Sequence, residues 1–416
     1  EGSYSTNPAD GAVRIKEFKA MVQALHEEGI GVVMDVVYNH TSRTDGLSFE
    51  ELVPGYYYRH WNDSTLGNAS GCGNETASEQ PMMRKFMVES LKYWAEEYHV
   101  DGFRFDLMAI HDMETMEEIE KELREANPNV LLYGEGWTAG DSPLPIEKRA
   151  LKSHTHQMPG IAAFSDEIRD GLKGHWSSHE SKGYVSGNFD LAESVKFGVI
   201  GGIEHPQIDY GAVNNTDTAW AAEPHQCMVY VSCHDNHTLY DKLKIANPEA
   251  SEEEIREMHL LSNFVVLTSQ GVPFLHAGVE FLRTKDGVEN SYQSPDSINQ
   301  LDWDEKSLHP NHLEQYQTLI KLRREHPSFR LGTAEEVRGR LVFLDSPEGV
   351  IAYRIESPEE DDWKQVVVVV NATNSTVDWN VPAGEWDLVY PGYNLSTDFL
   401  KGKLSPRQGY IFAKTQ

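Results

Sequence analysis

The chain has 416 residues, 39% of them hydrophobic and 10% aromatic, enough to bury the cores of two or three domains. A net charge of −30 argues against nucleic acid or an anionic membrane as partner, whereas a neutral substrate tolerates it. No run is long and apolar enough to cross a membrane, and the three cysteines, Cys72, Cys227 and Cys233, are too few for a disulfide framework, although a single bridge stays open.

Residues 13–28 read as an amphipathic helix, followed by a strand at 32–37 that looks buried on both faces, as in parallel sheets. Asp35 interrupts that strand, and Asn39 and His40 stand at its C-terminal end. Taken alone, Asp35 reads as a buried Asp that hydrogen-bonds to loop backbone, and His40 is the better site candidate. The polar stretch 41–80 is too long for a simple connection and reads as a functional excursion. Then come a helix at 83–98, a strand at 100–105, a helix at 113–126 and a strand at 130–133. Residues 140–187 look irregular apart from a short helix near 165–173. A helix at 191–197, a strand at 228–231, a helix at 251–268, a short strand at 272–276 and a helix at 311–325 follow. Strand alternating with helix implies parallel βα units. From 329 onward, short strands at 341–344, 350–355, 366–371 and 409–412 are separated by Gly, Pro, Asp and Asn, which reads as a separate all-β domain.

Four of the predicted strands end in ionisable residues. The segment 101–106, Asp-Gly-Phe-Arg-Phe-Asp, places Arg104 and Asp106 on one face of a strand, because side chains alternate. A buried charge is costly unless paired, and here the partner is built in. The pair is as compatible with a structural ion pair as with a carboxylate nucleophile. The segment 130–137 ends in Glu135 between two glycines, next to Trp137. Glycine admits close approach of backbone or ligand, and a Glu in a partly dry cleft suits a general acid. The segment 228–237 ends in Cys233, His234, Asp235, Asn236 and His237. Their spacing does not match a zinc site, and Cys233 reads as a small buried residue. In α/β barrels and open α/β sheets, the C-terminal ends of the strands carry the active site.

Together these segments resemble the signature regions of the alpha-amylase superfamily, glycoside hydrolase family 13: Asp-Val-Val-Tyr-Asn-His at 35–40, Gly-Phe-Arg-Phe-Asp at 102–106, Gly-Glu-Gly-Trp at 134–137 and His-Asp-Asn at 234–236. They occur in the family's order. Trp137 directly after the Glu, the segment 234–243 and the segment 280–292 are similar to the debranching type I pullulanases. The resemblance implies a (β/α)8 TIM barrel over 1–328 followed by a C-terminal β-sandwich over 329–416. It implies a retaining hydrolase of α-1,6-glucosidic branch links in pullulan and in glycogen or amylopectin limit dextrins. Asp106 would be the nucleophile, Glu135 the general acid/base and Asp235 the third carboxylate; Arg104 would orient Asp106. His40 and His234 would hydrogen-bond the reacting sugar, Trp137 would stack on the leaving-group side, and Asp296 and Asn299 would contact the next donor-side sugar. Asp35 and Asn39 would be structural.

The family barrel begins with strands that precede Glu1, and a barrel without them leaves an open edge. The expectation is therefore an N-terminal fragment of the same protein that supplies them, together with the family's stacking tyrosine, a role that Tyr4 does not fit. An isoamylase-like or α-1,4-acting enzyme, and a non-catalytic glycan-binding fragment, are the competing readings. No cofactor is required. Calcium, common in the superfamily and bound by oxygen, would find Asp45, Asp63, Asn68 and Asn74 in the excursion.

Overall fold

In the computed structural model the chain forms two compact units, Glu1–Phe164 and Ser165–Gln416, and the structure describes residues 4–62, 65–391 and 402–415. In the first unit α1 (Gly11–Glu27) leads to β1 (Val33–Val36). The excursion holds α2 (Ser48–Leu52) and a small antiparallel pair, β2 (His60–Asn62) and β3 (Thr65–Leu66). Then follow α3 (Pro81–Tyr98), β4 (Gly102–Phe105), α4 (Met113–Ala126), β5 (Leu131–Gly134) and β6 (Ala162–Phe164). Helix α3 has proline at its first position, where no N–H is needed, and buries Met83, Met87, Val88 and Leu91 along one face. Asp112 caps α4 by accepting the Thr115 N–H.

Strands β1, β4, β5 and β6 are parallel neighbours in that order. Asp35 lies opposite Arg104, and Arg104 opposite Tyr133. Phe105 lies opposite Gly134, so Asp106 and Glu135 each follow directly on a paired residue at the same end of the sheet. Phe103 and Phe105 are completely buried on the face opposite Arg104. β1 corrects the expectation of a strand buried on both faces. Among the described residues it pairs only with β4, and Val33 and Met34 are half-buried while Asp35 is exposed. Burial on both faces needs cover from neighbours on each side, and an edge strand lacks it. β6 lies in the stretch that looked irregular; a three-residue Ala-Ala-Phe strand is too short to show a period.

The excursion is tied down by Arg59, which is 4% exposed. Its guanidinium reaches Glu79 at 2.8 Å, Glu75 at 3.2 Å, Ser78 at 3.2 Å and the Ile110 carbonyl at 2.6 Å. Glu75, fully buried, also accepts from the Ala69 N–H at 2.6 Å and the Ser142 hydroxyl at 2.5 Å. A buried ion pair of this kind is stable only when the remaining donors and acceptors are also satisfied.

The second unit contains α5 (Asp166–Lys173), α6 (Ala192–Val199), β7 (Cys227–Val229), α7 (Leu239–Ala246), α8 (Glu252–Thr268), β8 (Val272–Pro273), α9 (Asp296–Asn299), α10 (Glu305–Leu308), α11 (Pro310–Glu325) and α12 (Ala334–Arg340). β7 and β8 are parallel, with Met228 opposite Val272. Then come β9 (Leu341–Leu344), β10 (Val350–Glu356), β11 (Gln365–Asn371), β12 (Val377–Asp378), β13 (Asp387–Tyr390), β14 (Lys403–Leu404) and β15 (Gln408–Lys414). Five of these form an antiparallel sheet in the order β13-β15-β11-β10-β9, and β12 pairs with β14. Alternate residues of the sheet, Val350, Ala352, Val367, Val369, Tyr410 and Phe412, pack with Leu404, Val377 and Trp379 in one core. Its other face meets α8, where Tyr353 donates to the Thr268 carbonyl at 3.0 Å. All three cysteines are free, so the single bridge left open above is absent. No helix among the described residues is long and apolar enough to cross a membrane.

Candidate active site

At the C-terminal end of the first unit's sheet, one guanidinium gathers three carboxylates. Arg104 Nη1 donates to Asp35 Oδ1 at 2.9 Å and to Asp106 Oδ1 at 3.0 Å, while Nη2 lies 2.8 Å from Glu135 Oε1. The register explains the convergence: Asp35, Arg104 and Tyr133 stand side by side on adjacent strands, and Asp106 and Glu135 emerge just beyond them. The Arg104 side chain is only 8% exposed. Burial alone would lower its pKa, but the charges of Glu135, Asp35 and Asp106 outweigh burial and the net shift is upward. The guanidinium is therefore a fixed cation.

Each carboxylate has a second anchor. Asp106 Oδ2 accepts from the Asn39 side-chain amide at 2.8 Å, and the same amide donates to the Asp106 carbonyl at 2.8 Å. Asn39 is fully buried, and its own Oδ1 meets His40 Nδ1 at 2.5 Å. Asn39 is thus a direct support of Asp106. Its place beside His40 at a strand end was the only sequence signal for that. Glu135 Oε2 accepts the Leu107 backbone N–H at 2.9 Å. Glu135 is 6% exposed, whereas the Asp106 side chain is 25% exposed and open to a ligand. Asp35, expected as a buried, structural residue, is a half-exposed member of the charge cluster, because it sits on the edge strand. The glycines around Glu135 serve close approach: a Cβ on Gly136 would lie 2.5 Å from the Lys152 backbone nitrogen. Trp137 follows as a half-buried side chain.

The second unit holds His234 and Asp235, both more than half exposed and 3.6 Å apart. Their loop is shaped by Asn236 in the left-handed region, at φ 61°, and by Lys285, whose ammonium donates to the His234 carbonyl at 3.1 Å and the Glu289 carbonyl at 3.3 Å. Burial, then the charge of Arg283, pushes the Lys285 pKa down. His237 Nε2 meets His179 Nδ1 at 2.9 Å. Asp296 begins α9 and is exposed. Asn299 uses its amide on the Ser291 and Ser294 carbonyls, at 2.7 and 3.1 Å, so it braces its own turn.

Two of the excursion's oxygen donors have partners within the protein. Asn68 Oδ1 accepts the Gly73 N–H at 2.6 Å and Asn74 Oδ1 the Thr41 N–H at 3.0 Å. Asp63 lies outside the described residues. Among the described residues no group of three or more His, Cys, Asp or Glu is arranged to hold a metal ion. No chemical step is routed through a metal ion.

Comparison with known proteins matches this architecture. A family profile described as "Pullulanase, all-beta domain" matches residues 337–394. The chain is 41% identical over 389 residues to a pullulanase of Bacillus subtilis strain 168, covering 92% of this chain and 52% of that protein. It is 33% identical to "Pullulanase 1, chloroplastic" of Arabidopsis thaliana, over 86% of this chain and 42% of that protein. A crystal structure of pullulanase from Paenibacillus barengoltzii, in complex with maltohexaose and alpha-cyclodextrin, superposes with a TM-score of 0.94 at 43% identity, covering all of this chain and 64% of that one. The chain spans about half the length of the curated relatives it matches, or less. The fold is of the (β/α)8-barrel class with a C-terminal all-β domain. On motif order, identity and fold together, the chain is similar to the type I pullulanases of the alpha-amylase superfamily.

Proposed function

We propose that the chain carries the catalytic centre of a retaining glycoside hydrolase that cuts α-1,6-glucosidic branch links in pullulan and in glycogen or amylopectin limit dextrins. The observation that carries this reading is the shared guanidinium of Arg104, which holds Asp106 by one terminal nitrogen and Glu135 by the other. Retaining hydrolysis needs two carboxyls about 5–5.5 Å apart, one attacking and one protonating, and a common cation brings these two to one place in the site. Asp106, partly open and held in place by Arg104 and Asn39, attacks the anomeric carbon and forms a glycosyl ester. Glu135 gives its proton to the leaving oxygen, then takes one from the water that breaks the ester. Asp235 grips sugar hydroxyls as the third carboxylate. His40 and His234 hydrogen-bond the reacting sugar, Trp137 stacks on the leaving-group side, and Asp296 and Asn299 face the next donor-side sugar. A neutral glucan is compatible with a chain of charge −30.

The open side of β1 supports one further part of this reading: a segment of the same protein adds parallel strands there, covering the half-buried Val33 and Met34. Cleavage rates on pullulan and on amylose test the linkage. Faster cleavage of pullulan is expected, and faster cleavage of amylose would overturn the α-1,6 assignment.

A further inference from the structure

The residue after the nucleophile has an unusual backbone. Leu107 lies at φ 39°, ψ 51°, in the left-handed region that non-glycine residues avoid. Strain of this kind persists where its surroundings over-determine it, and it clusters at functional sites. Here the surroundings are explicit. The Leu107 carbonyl accepts the Ile110 N–H at 2.9 Å, the Ala109 N–H donates to the Glu135 carbonyl at 3.2 Å, and Arg59 grips the Ile110 carbonyl at 2.6 Å. The result is that the Leu107 N–H points at Glu135 Oε2, 2.9 Å away, while Arg104 takes Oε1 at 2.8 Å.

Resting on the assignment of Asp106 and Glu135 as nucleophile and acid/base, we propose that Leu107 is a positioning residue whose backbone N–H pins Glu135 Oε2 as a permanent acceptor and so makes Oε1 the oxygen that carries the catalytic proton. A neutral carboxyl has one O–H and one acceptor oxygen. The hydroxyl oxygen of a neutral carboxyl accepts less well than its carbonyl oxygen, so the fixed Leu107 N–H favours the proton on Oε1. Oε1 can carry it, provided Arg104 Nη2 releases that oxygen, and Arg104 keeps Asp35 and Asp106 as partners when it does. In the first half-reaction the Oε1–H bond breaks and its proton goes to the leaving glycosidic oxygen, as the Asp106 oxygen bonds to the anomeric carbon. Oε1 then returns to Arg104 as a carboxylate oxygen. In the second half-reaction Oε1 takes a proton from water, the water oxygen bonds to the anomeric carbon, and the ester bond breaks with its electron pair returning to Asp106. The backbone donor is constant through both halves, and the side-chain donor alternates.

The test replaces Leu107 by its α-hydroxy acid in the catalytically complete protein, which turns the N–H into an ester oxygen and keeps the side chain and φ. A hydrogen bond to the charged form favours that form, so its loss should move the alkaline limb of the kcat/KM profile up by about one pH unit. An unmoved limb in a folded ester variant overturns the proposal. If that variant does not fold, 15N-leucine-labelled wild type decides: the Leu107 amide proton should titrate with the alkaline limb, and the titration should vanish in Glu135→Gln. A flat amide shift overturns the proposal. Asp106→Asn and Glu135→Gln in the same assay separate the two levels. If they keep wild-type rates, the assignment of the site fails. If they lose activity while the ester variant keeps a wild-type pH profile, only the role of the amide fails.

Discussion

Replacing His111 with Met should make the first unit more tolerant of acid, by an amount the structure sets. His111 follows the turn that begins at Leu107; its N–H closes that turn on the Met108 carbonyl at 2.9 Å, and its carbonyl accepts the Ala150 N–H at 2.9 Å. The imidazole is fully buried, and neither ring nitrogen has a hydrogen-bond partner among the described residues. Burial, then the nearby charge of Arg59, pushes its pKa down to about 3, from 6.5. The sign follows from linkage. As pH falls below 6.5 the unfolded chain takes up the proton and the folded chain does not, so stability is complete above 6.5 and is lost progressively towards 3. At pH 5 the group is 1.5 pH units below 6.5, and at about 1.36 kcal/mol per unit the loss is about 2 kcal/mol. Methionine has similar volume and no titration; its own packing cost should stay below about 1.5 kcal/mol and should not vary with pH. Urea unfolding at about pH 8 and at about pH 5, followed by hydrogen exchange of peptides covering 100–126, measures the difference. The wild type should lose about 2 kcal/mol more than His111→Met across that interval. Equal losses would refute the claim that His111 is held neutral behind the catalytic turn.

Two other substitutions probe the scaffold of the site. Arg59→Met leaves Glu75 buried without its cation, which costs about 3–5 kcal/mol locally, so limited proteolysis inside 41–80 should speed up by roughly a hundredfold or more; unchanged resistance would deny that Arg59 anchors the excursion. Gly136→Ala forces a Cβ to within 2.5 Å of the Lys152 nitrogen, and an overpacking cost of about 1–3 kcal/mol should appear as a lower melting temperature together with a reduced kcat, since Glu135 is the adjacent residue.

The candidate site was legible in the sequence wherever its side chains stood at strand ends. The runs before Asp106, Glu135 and His234 are apolar enough to mark strands, and each run ends in an ionisable residue. What stayed hidden falls into two kinds. Short elements carry no period: β6 has three residues, and α7 and α12 have eight and seven, packed into stretches rich in polar residues. Backbone roles carry no residue signature: nothing in the letter for leucine says that Leu107 adopts a left-handed conformation, and nothing in Arg59 says that it reaches the Ile110 carbonyl across 51 positions of sequence. The exposure of Asp35 was misread for a third reason. The five apolar residues around it predict a strand covered on both sides, and burial depends on neighbours that the strand's own sequence does not specify.

The cluster around Arg104 also shows why an arginine stands there. Three carboxylates face one cation, so their charges cannot all be balanced within the cluster. A lysine ammonium is a point charge on a flexible stem; a guanidinium is a rigid fork whose two terminal nitrogens serve different partners at fixed separation. Nη1 serves Asp35 and Asp106, while Nη2 serves Glu135. The partition lets the bond to Glu135 loosen without freeing Asp106. In the proposed mechanism Asp106 becomes an ester and loses its charge, which leaves the guanidinium with Asp35 and Glu135 while Glu135 activates water.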